Sequence, residues 1–302
     1  MLYLNETRAR RNFKDLLGQA NHFLITILIG LHGVETGQVT ASPDFHAAWN
    51  PKDVKISARR SRAFALDLAL IRAVDALDAY MSWSLRKPSI IQQTEFRSAL
   101  DKAGNEVWAK FEAFNRQTMG LDPVHEALIH LGITWRNRRV HSLASNELGS
   151  KNTQILKKSG STVAERFRGL SVTETLSRMQ NNKPPAFKEA AGIVSAVQKA
   201  VELFDAILIN RLDIEVYAKN AIRNELARDH LSKISLELHL ERRASAIWSG
   251  TDFERTRRVS KVLELLGFSA SDKYGYKKEL PTPSVEFIQS RSPEQILLFL
   301  EG

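Results

Sequence analysis

Cysteine is absent from the 302 residues. That excludes a disulfide framework, a thiolate metal site and a cysteine nucleophile together, and it fits a reducing, cytoplasmic setting. Long apolar runs are also lacking. The longest, His22 to Leu31 with Thr26 inside it, is too short to cross a bilayer. Arg8, Arg10 and Arg11 ahead of it imitate the charged start of a secretory leader, but Asp15 and Gln19 interrupt the approach and no small-residue cleavage site follows. The expectation is therefore a buried first helix and no membrane partner. No phosphate-cradling glycine loop, nucleophile elbow or kinase set of motifs is present.

Acidic charge is in deficit as well, with 34 Asp and Glu against 43 Lys and Arg, a formal net charge of +9. Basic residues occur in every third of the chain. A diffuse positive balance favours a polyanionic partner, nucleic acid first.

What is present reads with helical period almost throughout. Residues 7–32 make a first amphipathic stretch ended by Gly33 and Gly37, followed by a polar connection with Pro43 and Pro51. From Arg59 to Leu85, the positions Leu66, Leu70, Val74, Leu77 and Met81 form one apolar stripe at three-and-four spacing. A further helix is expected over 92–118. Asp122-Pro123 supplies an N-cap and a first-turn proline for the next, in which Gly132 and Thr134 offer a kink. Residues 142–163 read as an exposed loop, 172–181 as a short helix and 186–212 as a long one. Beyond about 215 lie a charged helix to 246, another near 252–267, a loop with room for a small β element near 274–288, and a last helix at 293–301. No internal repeat appears. The fold class is all-α, divided into residues 1–58, a helical domain over 59–214, and a small, mainly helical C-terminal unit over 215–302.

One short segment carries chemistry. Trp135-Arg-Asn-Arg-Arg-Val-His141-Ser142 contains the pattern Arg-Asn-x-x-x-His. Histidine exchanges protons near neutral pH, so His141 is a candidate general base or acid. Arg136 offers a permanently charged fork suited to phosphate. Asn137, four residues before His141, shares a helix face with it and can orient the imidazole or bond to substrate. Arg138 and Arg139 extend the basic surface towards flanking phosphates. On an ideal helix, residues five apart point about 140° from each other. Arg136 and His141 therefore need a long arginine stem, a kink at 132–134 or a second subunit to converge.

The motif resembles the signature of the HEPN superfamily, helical proteins that include many metal-independent ribonucleases of toxin and antiviral systems. The resemblance covers this segment and its helical surroundings, about 59–212. It implies a HEPN-like bundle with an extra N-terminal helix. It further implies an endoribonuclease with Arg136, Asn137 and His141 as catalytic residues, needing neither metal nor cofactor and leaving 2′,3′-cyclic phosphate ends. A homodimer with a composite active site, RNA as substrate, and control by stress, infection or a regulatory protein partner are implied in the same way. The family also tends to set an acidic side chain near the motif, for which Asp75 and Asp78 are available. Read alone, those two make a solvated helix face.

Other patterns are weaker. Arg223-Asn224 and His230 fit a looser form of the motif within a segment dense in alternating charge, which reads as a solvated helix. His125-Glu126…His130 imitates a zinc-protease helix with one residue too many between the histidines, so those two diverge. The tryptophans read mostly as core, with no stacking platform. Residues 253–267, with Arg255, Arg257, Arg258 and Lys261, fit a helix of a helix-turn-helix. That keeps open a non-catalytic nucleic-acid-binding regulator, beside a HEPN-like scaffold without activity.

Overall fold

The computed structural model describes residues 1–39, 51–141, 146–230 and 234–301. Pro43 and Ser142 lie outside them. In chain order the elements are β1 (Leu2–Leu4), α1 (Arg8–Leu17), α2 (Ala20–Thr36), α3 (Val54–Leu85), α4 (Thr94–Ala103), α5 (Val107–Thr118), α6 (Pro123–Val140), α7 (Ser150–Lys158), α8 (Gly160–Arg166), α9 (Val172–Gln180) and α10 (Phe187–Arg211). They continue with α11 (Ile214–Leu226), α12 (Leu236–Trp248), α13 (Asp252–Leu265), β2 (Phe268–Ser269), β3 (Glu279–Leu280), α14 (Thr282–Ser290) and α15 (Pro293–Glu301). The chain is mostly helical, as expected, with one small sheet.

Two compact units are present, each built from separate stretches of chain. The first comprises Met1–Asn12, Tyr80–Gly104 and Glu202–Gly302; the second comprises Phe13–Ala79 and Asn105–Val201.

In the first unit the sheet order is β2-β1-β3, antiparallel, with Leu4 opposite Phe268 and Leu2 opposite Leu280. Gly267 makes the turn from α13 into β2 at φ +99°, where a Cβ would lie 2.1 Å from the Glu6 carbonyl oxygen, so only glycine fits. The sheet was legible only at β3, because strands of two or three residues have no alternation to read. Leu4, Tyr217, Trp248, Leu263, Phe268 and Ile296 are buried in this unit, and the Trp248 indole N–H donates to the Ile288 carbonyl at 2.8 Å.

The second unit holds the motif. In α3 the expected stripe is buried from Leu66 to Leu77. The helix starts five residues earlier than expected because Asp53 accepts from the Ile56 N–H at 2.9 Å, an N-cap bond. The N-terminal stretch is two helices rather than one, broken at Gly18, and the second runs through Gly33 to a left-handed cap at Gly37. Nor is α2 a buried helix: Leu24 and Gly33 are covered, whereas Phe23 is 61% and Ile29 68% exposed. The Arg8–Thr36 region is apolar and long enough to pass as a membrane span, but weakly.

Within the stretch 142–163 expected as loop, residues 150–158 and 160–163 are helical. Leu156 and Val163 anchor α7 and α8 in the core, and the polar composition that suggested a loop is their solvent side. Likewise the expected helix over 92–118 is two, separated at Gly104 with φ +57°. Asp122 caps α6 as predicted, accepting from the Val124 and His125 N–H groups. That helix passes without a break through Gly132 and Thr134. A Cβ on Gly132 would meet Ile193 Cγ2 at 2.8 Å, so the glycine serves the close approach of α6 and α10 and not a kink.

Candidate functional site

Nine consecutive positions of α6, Ala127 to Trp135, are buried. The helix is thus fixed in the core up to the residue before the motif. Trp135 is fully buried, and its indole N–H donates to the Lys183 carbonyl at 3.1 Å. The next turn emerges half-buried and ends at Val140.

There a cleft of about 570 Å³ is lined by Arg136, Asn137 and His141, with Trp108 at the start of α5 and Glu147 and Asn152 across from them. His141 is the residue after the helix. Its backbone is extended at φ −107° and ψ 103°, while its N–H still donates to the Asn137 carbonyl. All three motif residues line the one cleft although α6 has no kink.

Arg136 is held from two sides. One terminal nitrogen donates to Asp75 Oδ1 at 2.7 Å and the other to Asn137 Oδ1 at 3.2 Å. Asp75 is therefore more than a solvated residue of α3: it orients the motif arginine. Asp78, one turn on, pairs instead with Lys110 at 2.6 Å.

Arg138 and Arg139 face protein acceptors. Arg139 forms a two-pronged pair with Asp67 at 2.9 and 2.6 Å and donates to the Asn182 carbonyl at 2.7 Å. Arg138 donates to the carbonyls of Asn146 and Gln180 at 3.1 and 3.0 Å. The two fasten the end of α6 to α3 and to the α9–α10 connection.

Comparisons with protein-family models, curated proteins and solved structures each find no match.

The remaining candidates separate clearly. Helix α11 ends at Leu226, so Arg223 and His230 do not continue on one helical face. Arg223 donates to the Leu300 carbonyl and a His230 ring nitrogen lies 2.8 Å from the Ile234 carbonyl. On α13, Arg255 donates to the Gln289 carbonyl and Arg258 to the Ile247 and Ser249 carbonyls, leaving Arg257 and Lys261 exposed. His125 and His130 diverge as expected. His125 Nδ1 lies 2.6 Å from Asp122 Oδ2, whereas His130 turns towards Glu112 on α5.

Two features were not found from sequence. Trp108 is 51% exposed at the cleft, an aromatic surface whose exposure no local pattern announces. Glu112, Glu126 and His130 converge although the first is remote in sequence. The only prior trace was Glu126 four residues before His130, which puts both on one face of α6.

Proposed function

We propose that the chain is a metal-independent endoribonuclease of HEPN type, acting as a conditional toxin or defence effector. The observation that carries this reading is the convergence of Arg136, Asn137 and His141 on one cleft, with the arginine braced by Asp75. In the reaction His141 takes the proton from a 2′-hydroxyl. The 2′-oxygen then bonds to the adjacent phosphorus as the bond from phosphorus to the 5′-oxygen breaks, and the leaving oxygen is protonated to a 5′-hydroxyl. Arg136 stabilises the charge that builds on the phosphoryl oxygens. Asn137, bonded to Arg136, holds the guanidinium in the plane the phosphate needs.

The exposed face of Trp108 adds a surface on which a base can stack, the usual way single-stranded RNA is held. Arg138 and Arg139 already bond to protein acceptors, so they contribute to phosphate binding through charge rather than free donor pairs. A homodimer gives a second His141 as the acid for the leaving group, and a regulatory partner restrains the activity in the cell.

The test uses single-stranded RNA and matched DNA, incubated in EDTA with wild-type chain, His141→Ala and Arg136→Ala, followed by analysis of the ends. The expected result is cleavage of RNA alone, with cyclic phosphate ends, and a fall of roughly 10²–10⁴-fold in the His141 variant. Equal rates in wild type and variant would sink the site assignment. Binding of RNA that weakens steeply with salt, without cleavage, would favour a nucleic-acid-binding regulator instead.

A further inference from the structure

The α5–α6 contact encloses a second polar cluster, separate from the cleft residues Arg136, Asn137 and His141. Glu112 comes from α5; Glu126 and His130 come from α6. Their carboxylate oxygens and imidazole nitrogens all lie within 4.8 Å of one another. The His130 side chain is 1% exposed. Among the described residues, neither of its ring nitrogens has a hydrogen-bond partner, although Nε2 is 2.7 Å from Glu112 Oε1. The approach is close but lacks the geometry of a hydrogen bond. Asn115, on the same face of α5, donates to Glu126 Oε2 at 2.9 Å, and its own Oδ1 is buried and unpartnered.

A buried polar atom without a hydrogen bond is costly; Nδ1 has none, and Nε2 has only its close approach to Glu112. Trp108 and Phe111 pack on the imidazole, with ring centroids 5.8 and 5.0 Å away, and seal it from water. Two carboxylates share the pocket with the ring. Lys151, 3.6 Å from Glu126 and 79% exposed, offsets one of them from outside and is free to swing away.

We propose that Glu112, Glu126 and His130 form a binding site for one divalent transition-metal ion, zinc foremost, which fastens α5 to α6. One imidazole among carboxylates disfavours magnesium and calcium, which prefer all-oxygen sets. Zinc accepts both ligand types at about 2.0–2.2 Å. Small rotations of the two glutamates bring the oxygens in, with Asn115 Oδ1 or a water for a fourth position. His130 and Asn137 are seven residues apart on α6, so the ion would stiffen the helix about two turns before the motif. Its role is structural, and it does not depend on the ribonuclease reading.

The experiment uses untagged full-length chain, stripped with EDTA and dialysed free of it. Zinc is titrated by equilibrium dialysis with total metal measured, and cobalt is titrated by visible absorption. The expected result is one zinc per chain, retained against millimolar magnesium, with a cobalt spectrum of low coordination number. Glu112→Gln/Glu126→Gln, verified as folded by circular dichroism, should bind at least about 100-fold more weakly, and His130→Ala likewise. Glu112→Gln alone serves if the double variant fails to fold, with a loss of about tenfold or more. Absence of saturable binding by the wild type, or unchanged binding by folded carboxamide variants, overturns the proposal. Failure here leaves the comparison of wild type with His141→Ala untouched, and the converse also holds.

Discussion

Arg136 divides its donors between Asp75 on α3 and Asn137 on its own helix. Side-chain exposure is 20% for the arginine and 47% for the aspartate, so water screens the pair and its contribution to stability is small, about 1 kcal/mol or less. Its effect on orientation is larger. On the proposed ribonuclease reading, Asp75→Ala should slow single-turnover RNA cleavage by roughly tenfold while leaving the urea midpoint almost unchanged, because a phosphate clamp depends on the angle of its fork. An unaltered rate would show that Asn137 alone orients the guanidinium. Arg139 presents the opposite balance. Its pair with Asp67 is better shielded, at 24% and 14% exposure, and it is two-pronged. Arg139→Ala should therefore cost roughly 1–3 kcal/mol of stability, read from chemical denaturation, since it strands a carboxylate that is mostly covered. The slope of RNA affinity against salt should change by one phosphate contact at most.

At the scale of elements, the close approach of α6 and α10 positions the motif. Ile193 is fully buried, so its side chain has little room to yield to a Cβ at position 132. Gly132→Ala should destabilise the protein by about 1–3 kcal/mol through overpacking, with Ile193→Ala in the same chain recovering part of the loss. Additive effects of the two changes, measured by denaturation, would mean that they do not share a contact. The same glycine marks the limit of what the sequence revealed. A glycine inside a helical pattern reads equally as a kink or as a point of close packing, and only the partner helix decides. The start of α6 was legible because Asp122-Pro123 acts locally, and so was the stripe of α3, which repeats one spacing over several turns. Helices α7 and α8 were not, because two or three apolar anchors among serine, asparagine and lysine give no periodicity. Within the site, Arg136, Asn137 and His141 are contiguous enough to form a pattern. Trp108 and Glu112 join the two polar clusters through tertiary packing and left no sequence mark, whereas Asp75 was open to view only through the family resemblance, beside Asp78, and packing decides between the two.

For the whole molecule, stability near neutral pH is a small difference between large terms, so one buried carboxylate is felt globally. Asp205 is fully buried. It accepts from the Thr7 N–H at 3.2 Å, from the Thr7 hydroxyl and from the Tyr80 hydroxyl at 3.4 Å. Burial pushes its carboxyl up to about 6, with the Thr7 bonds and the charge of Arg10 opposing and Glu6 adding to the rise. The ordinary value is 3.8, so between these limits the folded chain holds a proton that the unfolded chain has released. The stabilising contribution is complete below 3.8 and is lost as pH rises through 6, an effect on the order of 3 kcal/mol. Glu35 acts in the opposite sense: its hydrogen bond to Arg59 lowers it, so its contribution is lost as pH falls. A single wild-type profile mixes such terms. The difference between wild type and Asp205→Asn isolates one of them, because the amide keeps an acceptor for Thr7 but does not titrate. Urea midpoints from pH 4 to 7 should show the wild type losing ground steadily to the variant, most of it before pH 6.5. A flat difference would mean that Asp205 stays ionised throughout, and the donors around it would then outweigh its burial.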